Sequence, residues 1–207
     1  MKLILASGSP RRADILRAAG FSIEICAPDI AEVRRPSELA GDYVRRLAEE
    51  KARAVAKRIG NSHADSGAMI IAADTTVVVA GTILEKPANT AEAGAMIEKL
   101  SGRTHEIHTG VALLQLPDER MQVFEEITRV DFARLSPDEI AEYVASGESL
   151  DKAGAYAIQG RGGKFVTRID GCYFNVMGLP LGRIYQELRA LGWSPEEFTA
   201  KTNTGRV

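Results

Sequence analysis

Apolar residues fill positions 3–6 without alternation, the pattern of a buried strand over residues 2–6. Ser7-Gly8-Ser9-Pro10 breaks the run, and a helical pattern then continues to Gly20. Ser9 suits the N-cap, Pro10 the first helical position and Gly20 the C-terminal stop. A second helix is predicted over residues 42–59, with Val44, Leu47, Ala48, Val55 and Ile59 on its apolar face. Residues 68–74 form another buried run that ends at Asp74. Residues 77–79 and 83–84 flank Ala80-Gly81 as a hairpin. Asn89 and Glu92 resemble a capping box and open a helix that stops near Ser101-Gly102. Strands are predicted at 104–116 and 121–134, joined by Pro117-Asp118-Glu119. Ser136-Pro137-Asp138-Glu139 starts a helix that Gly147 ends. The last third holds a glycine-rich stretch (Gly154, Gly160, Gly162, Gly163), two short strands meeting at Asp170-Gly171, and a helix over 180–192. The polar tail beyond Trp193 is expected to fray. Strands and helices mix without strict βαβ alternation, which predicts an α/β fold with a mixed sheet.

Composition narrows the function classes. The 207 residues are 45% apolar and 26% charged, an ordinary globular profile. A net charge of −2 supplies no global field toward nucleic acid or anionic lipid, but leaves room for a local basic pocket. Cys26 and Cys172 lie far apart and form no CxxC pair, so a disulfide framework is not expected. Arg11 and Arg12 follow the first apolar run too soon for a signal peptide, and no apolar stretch approaches the ~20 residues that span a bilayer. A cytoplasmic protein is expected.

The first strand–loop–helix unit carries the most chemistry. A small-residue loop at a helix N-terminus points backbone N–H groups outward and makes an anion site. Ser7 and Ser9 add hydroxyls there. Arg11 and Arg12 stand in the first helical turn, where the dipole disfavours cations and a polyphosphate would compensate them. Otherwise the loop is a plain capped helix with solvated arginines. Lys51 falls on the apolar stripe of the second helix, which is consistent with snorkelling or with a lysine aimed into a cleft. Asp74, at a strand end, would bind a divalent cation, orient water or serve only as a cap. Glu32 is a second loop acid, and Lys86 a second clamp or a surface charge. His105 and His108, three apart in a strand, face opposite ways and make no zinc pair. Ser7 and Ser9 lack a base for nucleophilic work and read as phosphate ligands.

With these residues in view, the chain resembles the Maf family of nucleoside triphosphate pyrophosphatases over nearly its whole length. The matching blocks are Ser7-Gly8-Ser9-Pro10-Arg11-Arg12, Glu49-Glu50-Lys51-Ala52, Ala73-Asp74-Thr75, Glu85-Lys86-Pro87, Ser101-Gly102-Arg103-Thr104-His105, Ala153-Gly154-Ala155-Tyr156-Ala157-Ile158-Gln159-Gly160 and Asn175-Val176-Met177-Gly178-Leu179-Pro180. The resemblance implies one Maf/ITPase-like α/β domain, with an elongated mixed sheet flanked by helices and two lobes around a deep cleft. It implies hydrolysis to monophosphate and pyrophosphate, assisted by a divalent cation, magnesium or manganese. Asp74 matches the family's proton acceptor. Ser7, Arg12, Glu32, Lys51 and Lys86 match its phosphate and metal cluster, with Glu32 and Asp74 as the metal's carboxylates. Arg11, Thr75 and Tyr156-Ala157-Ile158-Gln159-Gly160 match the subgroup acting on dTTP and UTP, where Arg11, Thr75 and Gln159 set base specificity. The one departure is Ala157, where glycine is frequent. The implied partner is the nucleotide alone, without membrane or stable nucleic-acid complex, and a homodimer is the family expectation. Two rivals stand beside this reading: a non-catalytic nucleotide or nucleic-acid binding protein acting in cell division, and an enzyme for modified pyrimidine nucleotides.

Overall fold

A computed structural model describes residues 2–60 and 67–194. Among them seven strands form one mixed sheet. In chain order the elements are β1 (Lys2–Ala6), α1 (Pro10–Ala18), β2 (Ile23–Ile25), α2 (Ala40–Ile59), β3 (Ala68–Val79), β4 (Thr82–Leu84), α3 (Thr90–Leu100), β5 (Thr104–Leu116), β6 (Arg120–Phe132), α4 (Pro137–Ala145), β7 (Val166–Asp170), α5 (Tyr173–Val176) and α6 (Leu181–Ala190). The strand order is β2-β1-β3-β5-β6-β7, with β4 paired to β3. β1 is parallel to β2 and β3, and the remaining pairs are antiparallel. The α/β class and mixed sheet expected from the sequence are therefore present.

The period-two alternation of strands divides the core. Leu3, Leu5, Met69, Ile71, Val111 and Leu113 face α1 and α6. Ile4, Ala6, Ile70, Ala72, Ala112 and Leu114 face Ala48, Ala52 and Val55 of α2. A third cluster, around Ile97, Ile107, Phe132, Tyr143 and Phe165, packs α3 and α4 at the other end of the sheet. Gly110 lets α2 lie directly on β5: a Cβ there would stand 2.3 Å from the Val44 carbonyl.

The alternation continues through the polar interruption of β3. Asp74 keeps the face of Ile70 and Ala72, toward α2, whereas Thr75 keeps the face of Ala73, toward α1. β1 pairs with β3 only as far as Ala72, and β4 rejoins the same edge at Val77. Residues 73–76 thus have β5 on one side and, among the described residues, no strand on the other. That gap is where the site forms.

Several expectations change. Asp74 lies inside one twelve-residue strand, not at the end of a run, because pairing with β5 continues through Val78. The second short strand expected after Gly171 is instead α5. Its Asn175 side chain donates to the carbonyls of Ile107 and Glu126, at 3.1 and 3.2 Å, and to Thr128 Oγ1, which fixes a helical turn against β5 and β6. β2, only three residues long, is an addition, and α2 begins two residues earlier than expected. Glu92 N–H donates to Asn89 Oδ1, while the Glu92 carboxylate receives Ala88 N–H and not that of Asn89. The capping box at Ser136 and Glu139 is complete. The tail beyond Ser194 lies outside the described residues.

Candidate active site

A pocket of about 630 Å3 opens over the gap, and all ten residues singled out by sequence line it: Ser7, Ser9, Arg11, Arg12, Glu32, Lys51, Asp74, Thr75, Lys86 and Gln159. The loop from β1 to α1 supplies one wall. Ser9 has N-cap backbone geometry, yet its hydroxyl makes no cap bond. Its N–H instead donates to Ser7 Oγ at 3.2 Å. The first turn of α1 carries no acid.

Arg12 is spent largely on the protein. Its Nε donates to the Gly178 carbonyl (2.8 Å), Nη1 to the Ala73 carbonyl (2.8 Å) and to Ser7 Oγ (3.2 Å), and Nη2 to Thr75 Oγ1 (3.0 Å). The Ala73 carbonyl lies on the β3 edge that β1 leaves uncovered, so a guanidinium replaces the missing strand. Burial lowers the Arg12 pKa from its usual value, and Asp74 and Glu32 oppose that shift. Thr75 Oγ1 also meets Thr109 Oγ1 at 3.0 Å. Arg11, by contrast, stays at the pocket with Asp151 3.5 Å away.

Across the pocket, Lys51 points inward rather than snorkelling to solvent. Its Nζ lies 2.6 Å from Asp74 Oδ1 and 2.6 Å from Glu32 Oε1, and its side chain is 5% exposed. Lys86 reaches Glu32 Oε2 at 3.5 Å. Burial raises the Asp74 pKa above the ordinary aspartate value, with Lys51 and then Arg12 pulling it back. Burial also pushes Glu32 up, but the hydrogen bond and charge of Lys51 prevail and hold it below its usual range. Two neighbours are additional to the sequence reading. Tyr43 O–H donates to Glu85 Oε1 at 2.7 Å and to the Glu32 carbonyl at 3.4 Å, tying both acid-bearing segments to α2. Tyr43, Leu47 and Lys51 follow one another at i, i+4 and i+8, so the helical stripe that marked Lys51 also contained the signal for Tyr43.

Gln159 reaches the pocket from the segment after α4. His105 and His108 stand outside the pocket, on opposite faces of β5. His105 shares a 2.8 Å hydrogen bond with Tyr156, and burial lowers its pKa to about 4. His108 meets Glu125 at 2.6 Å.

The donor set bears on the divalent cation. Among the described residues no group of three or more His, Cys, Asp or Glu side chains is arranged to hold a metal. Glu32 and Asp74 both meet the Lys51 ammonium, so two carboxylates stand at one place in the pocket. Magnesium is commonly bound by one or two carboxylates plus substrate phosphates. These residues fit an ion that arrives with a polyphosphate.

The family described as "Maf-like protein" matches residues 2–191. The chain belongs to the Maf-like family. The dTTP/UTP pyrophosphatase of Carboxydothermus hydrogenoformans is 46% identical over 196 residues, covering 93% of this chain and 100% of that one. Proteins of the same name from Koribacter versatilis and Geobacter sulfurreducens are 46% and 44% identical, over 93% and 92% of this chain and 95% and 97% of theirs. The solved Staphylococcus aureus Ham1 protein overlaps 64% of this chain and 72% of its own, with 13% identity and a TM-score of 0.38. In this Maf-like chain the pocket residues come from α1, α2, β3, β5, α5 and five connecting segments, which only the folded sheet brings together. Among the described residues no helix is long and apolar enough to cross a membrane.

Proposed function

We propose that this protein hydrolyses dTTP and UTP to the nucleoside monophosphate and pyrophosphate. The observation that carries the reading is Asp74: a buried carboxylate in the same pocket as the serine–arginine loop, with Lys51 2.6 Å away. Membership of the Maf-like family and the names of the relatives support it.

The triphosphate tail lies against the Ser7–Ser9 loop, where the serine hydroxyls and the start of α1 favour anions. Lys51 and Lys86 add positive charge, and Arg12 holds the loop to β3. Asp74 orients a water molecule and takes its proton as the oxygen attacks the α-phosphorus. The bond from that phosphorus to the bridging oxygen breaks, and pyrophosphate leaves with the electron pair. A raised pKa keeps Asp74 a stronger base than a free aspartate. Glu32 and Asp74 would hold a magnesium or manganese ion, which supplies charge neutralisation at the phosphates when bound. The Gln159 amide offers both an acceptor and a donor to the N3–H and carbonyl edge of uracil or thymine. Arg11 borders that region directly, and Thr75 acts through Arg12. Pyrimidines altered away from that edge fit the same recognition. A cytoplasmic home, a homodimer and the absence of a stable nucleic-acid complex belong to the same proposal.

The test is release of pyrophosphate and monophosphate from a nucleotide panel, with magnesium, manganese or chelator. Cation-dependent cleavage of dTTP and UTP is expected, and Asp74→Asn should lower kcat by at least about 100-fold, the scale of a lost general base. Intact nucleotide binding without turnover would return the protein to a binding role.

A further inference from the structure

Gln159 lies outside every helix and strand of the described residues. It is exposed, lines the pocket and sits within a stretch rich in glycine. Recognition of a base edge demands more than the right amide: the backbone that carries it must be held still. The structure supplies that hold from outside the pocket.

The turn is gripped on both sides. Ahead of Gln159, Ala157 N–H donates to Tyr143 Oη at 3.3 Å. After it, Arg161 N–H donates to Glu148 Oε2 at 2.9 Å and Gly162 N–H to Glu148 Oε1 at 3.1 Å. Tyr143 O–H closes the circuit by donating to Glu148 Oε1 at 2.9 Å. One carboxylate thus collects three donors, and a single phenol joins the two ends of the segment. The approach is close enough that a Cβ on Gly160, whose φ is 136°, would lie 2.4 Å from Glu148 Oε2. Tyr143 is itself anchored, 1% exposed and edge-on to Phe165 with ring centroids 5.2 Å apart. The Glu148 end is tied too, since Lys152 Nζ donates to its carbonyl at 2.7 Å. Charge-assisted bonds of this kind are the stronger class, and three on one carboxylate leave the turn little freedom.

We propose that Glu148 is the positioning residue for nucleobase selection, its carboxylate fixing the turn that presents Gln159. The inference rests on the hydrolytic reading of the pocket. Glu148 touches neither substrate nor the reacting atoms and acts only through the turn. Replacement by glutamine keeps the shape but removes one acceptor and sets an NH2 against a backbone N–H, so the turn loosens while Asp74, Lys51 and the serine loop stay in place.

The experiment compares wild type with Glu148→Gln in two ways. Steady-state pyrophosphate release is measured on UTP and GTP, and calorimetry measures binding of a non-hydrolysable UTP analogue and of inorganic tripolyphosphate, which has no base. For the variant, KM for UTP and the dissociation constant of the analogue should each rise about tenfold, the scale of one charge-assisted hydrogen bond. The fall in kcat should be smaller than the rise in KM, preference for UTP over GTP should shrink, and tripolyphosphate should bind as before. Unchanged base preference, or equal losses for analogue and tripolyphosphate, overturns the inference. If the wild type releases no pyrophosphate, hydrolysis itself is refuted, yet the two binding measurements still decide the role of Glu148. Should Glu148→Gln fail to fold, Glu148→Asp, which withdraws the carboxylate by one methylene from the Arg161 and Gly162 N–H groups, is judged by the same outcomes.

Discussion

At the scale of single residues, the site is governed by Lys51 and its two carboxylates. A buried lysine is tolerated where its ammonium is paired, and here both Glu32 and Asp74 lie 2.6 Å away. The raised pKa of Asp74 has a definite sign for activity. A base must be ionised, so falling pH switches it off, and the acid limb of kcat/KM should lie above the ordinary aspartate value of 3.8. Lys51 lowers that pKa, so Lys51→Met should move the limb further toward neutral pH as well as weaken phosphate binding. A pH–rate profile of both proteins checks this, and a limb that stays put would free Asp74 of Lys51's influence. The residue scale was also where the sequence was most legible. The serine–arginine loop and the misplaced Lys51 stood out because each broke a local rule of charge or burial. The bonding of Arg12 to the protein itself did not: neighbouring identical side chains differ only in what the fold puts beside them, and Arg12 meets the Ala73 and Gly178 carbonyls.

Secondary-structure elements set these distances. α2 brings Tyr43 and Lys51 to the acids only because Gly110 allows its backbone to touch β5. Gly110→Ala would drive a methyl group into the Val44 carbonyl, and a cost of about 3 kcal/mol, the upper end of ordinary overpacking, is expected. Chemical denaturation reads the stability. The same shift of α2 should lower turnover under conditions where the variant remains folded, and full activity in a destabilised variant would separate the helix position from the site. Long apolar runs were readable as elements for the usual reason, burial at a fixed period. The misreadings cluster around function. β3 looked broken at Asp74-Thr75-Thr76 because polar residues there serve the pocket, although the strand runs on beside β5. α5 owes its single turn to Asn175, whose partners Ile107, Glu126 and Thr128 are far away in sequence.

Across the whole molecule, the sheet ties distant parts of the chain together. Trp193, the single tryptophan, stacks on Phe21 with centroids 5.2 Å apart and an interplanar angle of 27°. It thereby closes the segment after α6 onto the segment between α1 and β2. If the described residues unfold as one cooperative body, tryptophan fluorescence and far-ultraviolet circular dichroism should give the same urea midpoint. An earlier fluorescence transition would show that this closure opens separately. The order of the strands was the least legible property of the sequence, since pairing partners carry no local mark of one another.

The position of β1 between β2 and β3 has a consequence for the birth of the protein. Met69 is made about 66 residues after its partner Leu3, and at roughly 5–20 residues per second β1 waits several seconds for β3 to leave the ribosome. The Thr104–Leu116 and Arg120–Phe132 strands, by contrast, form a hairpin whose halves emerge almost together. The nascent chain therefore carries β1 with β2 and α1 beside it but with its other edge open until β3 arrives, and the loop that meets the phosphates takes shape only when that edge is closed.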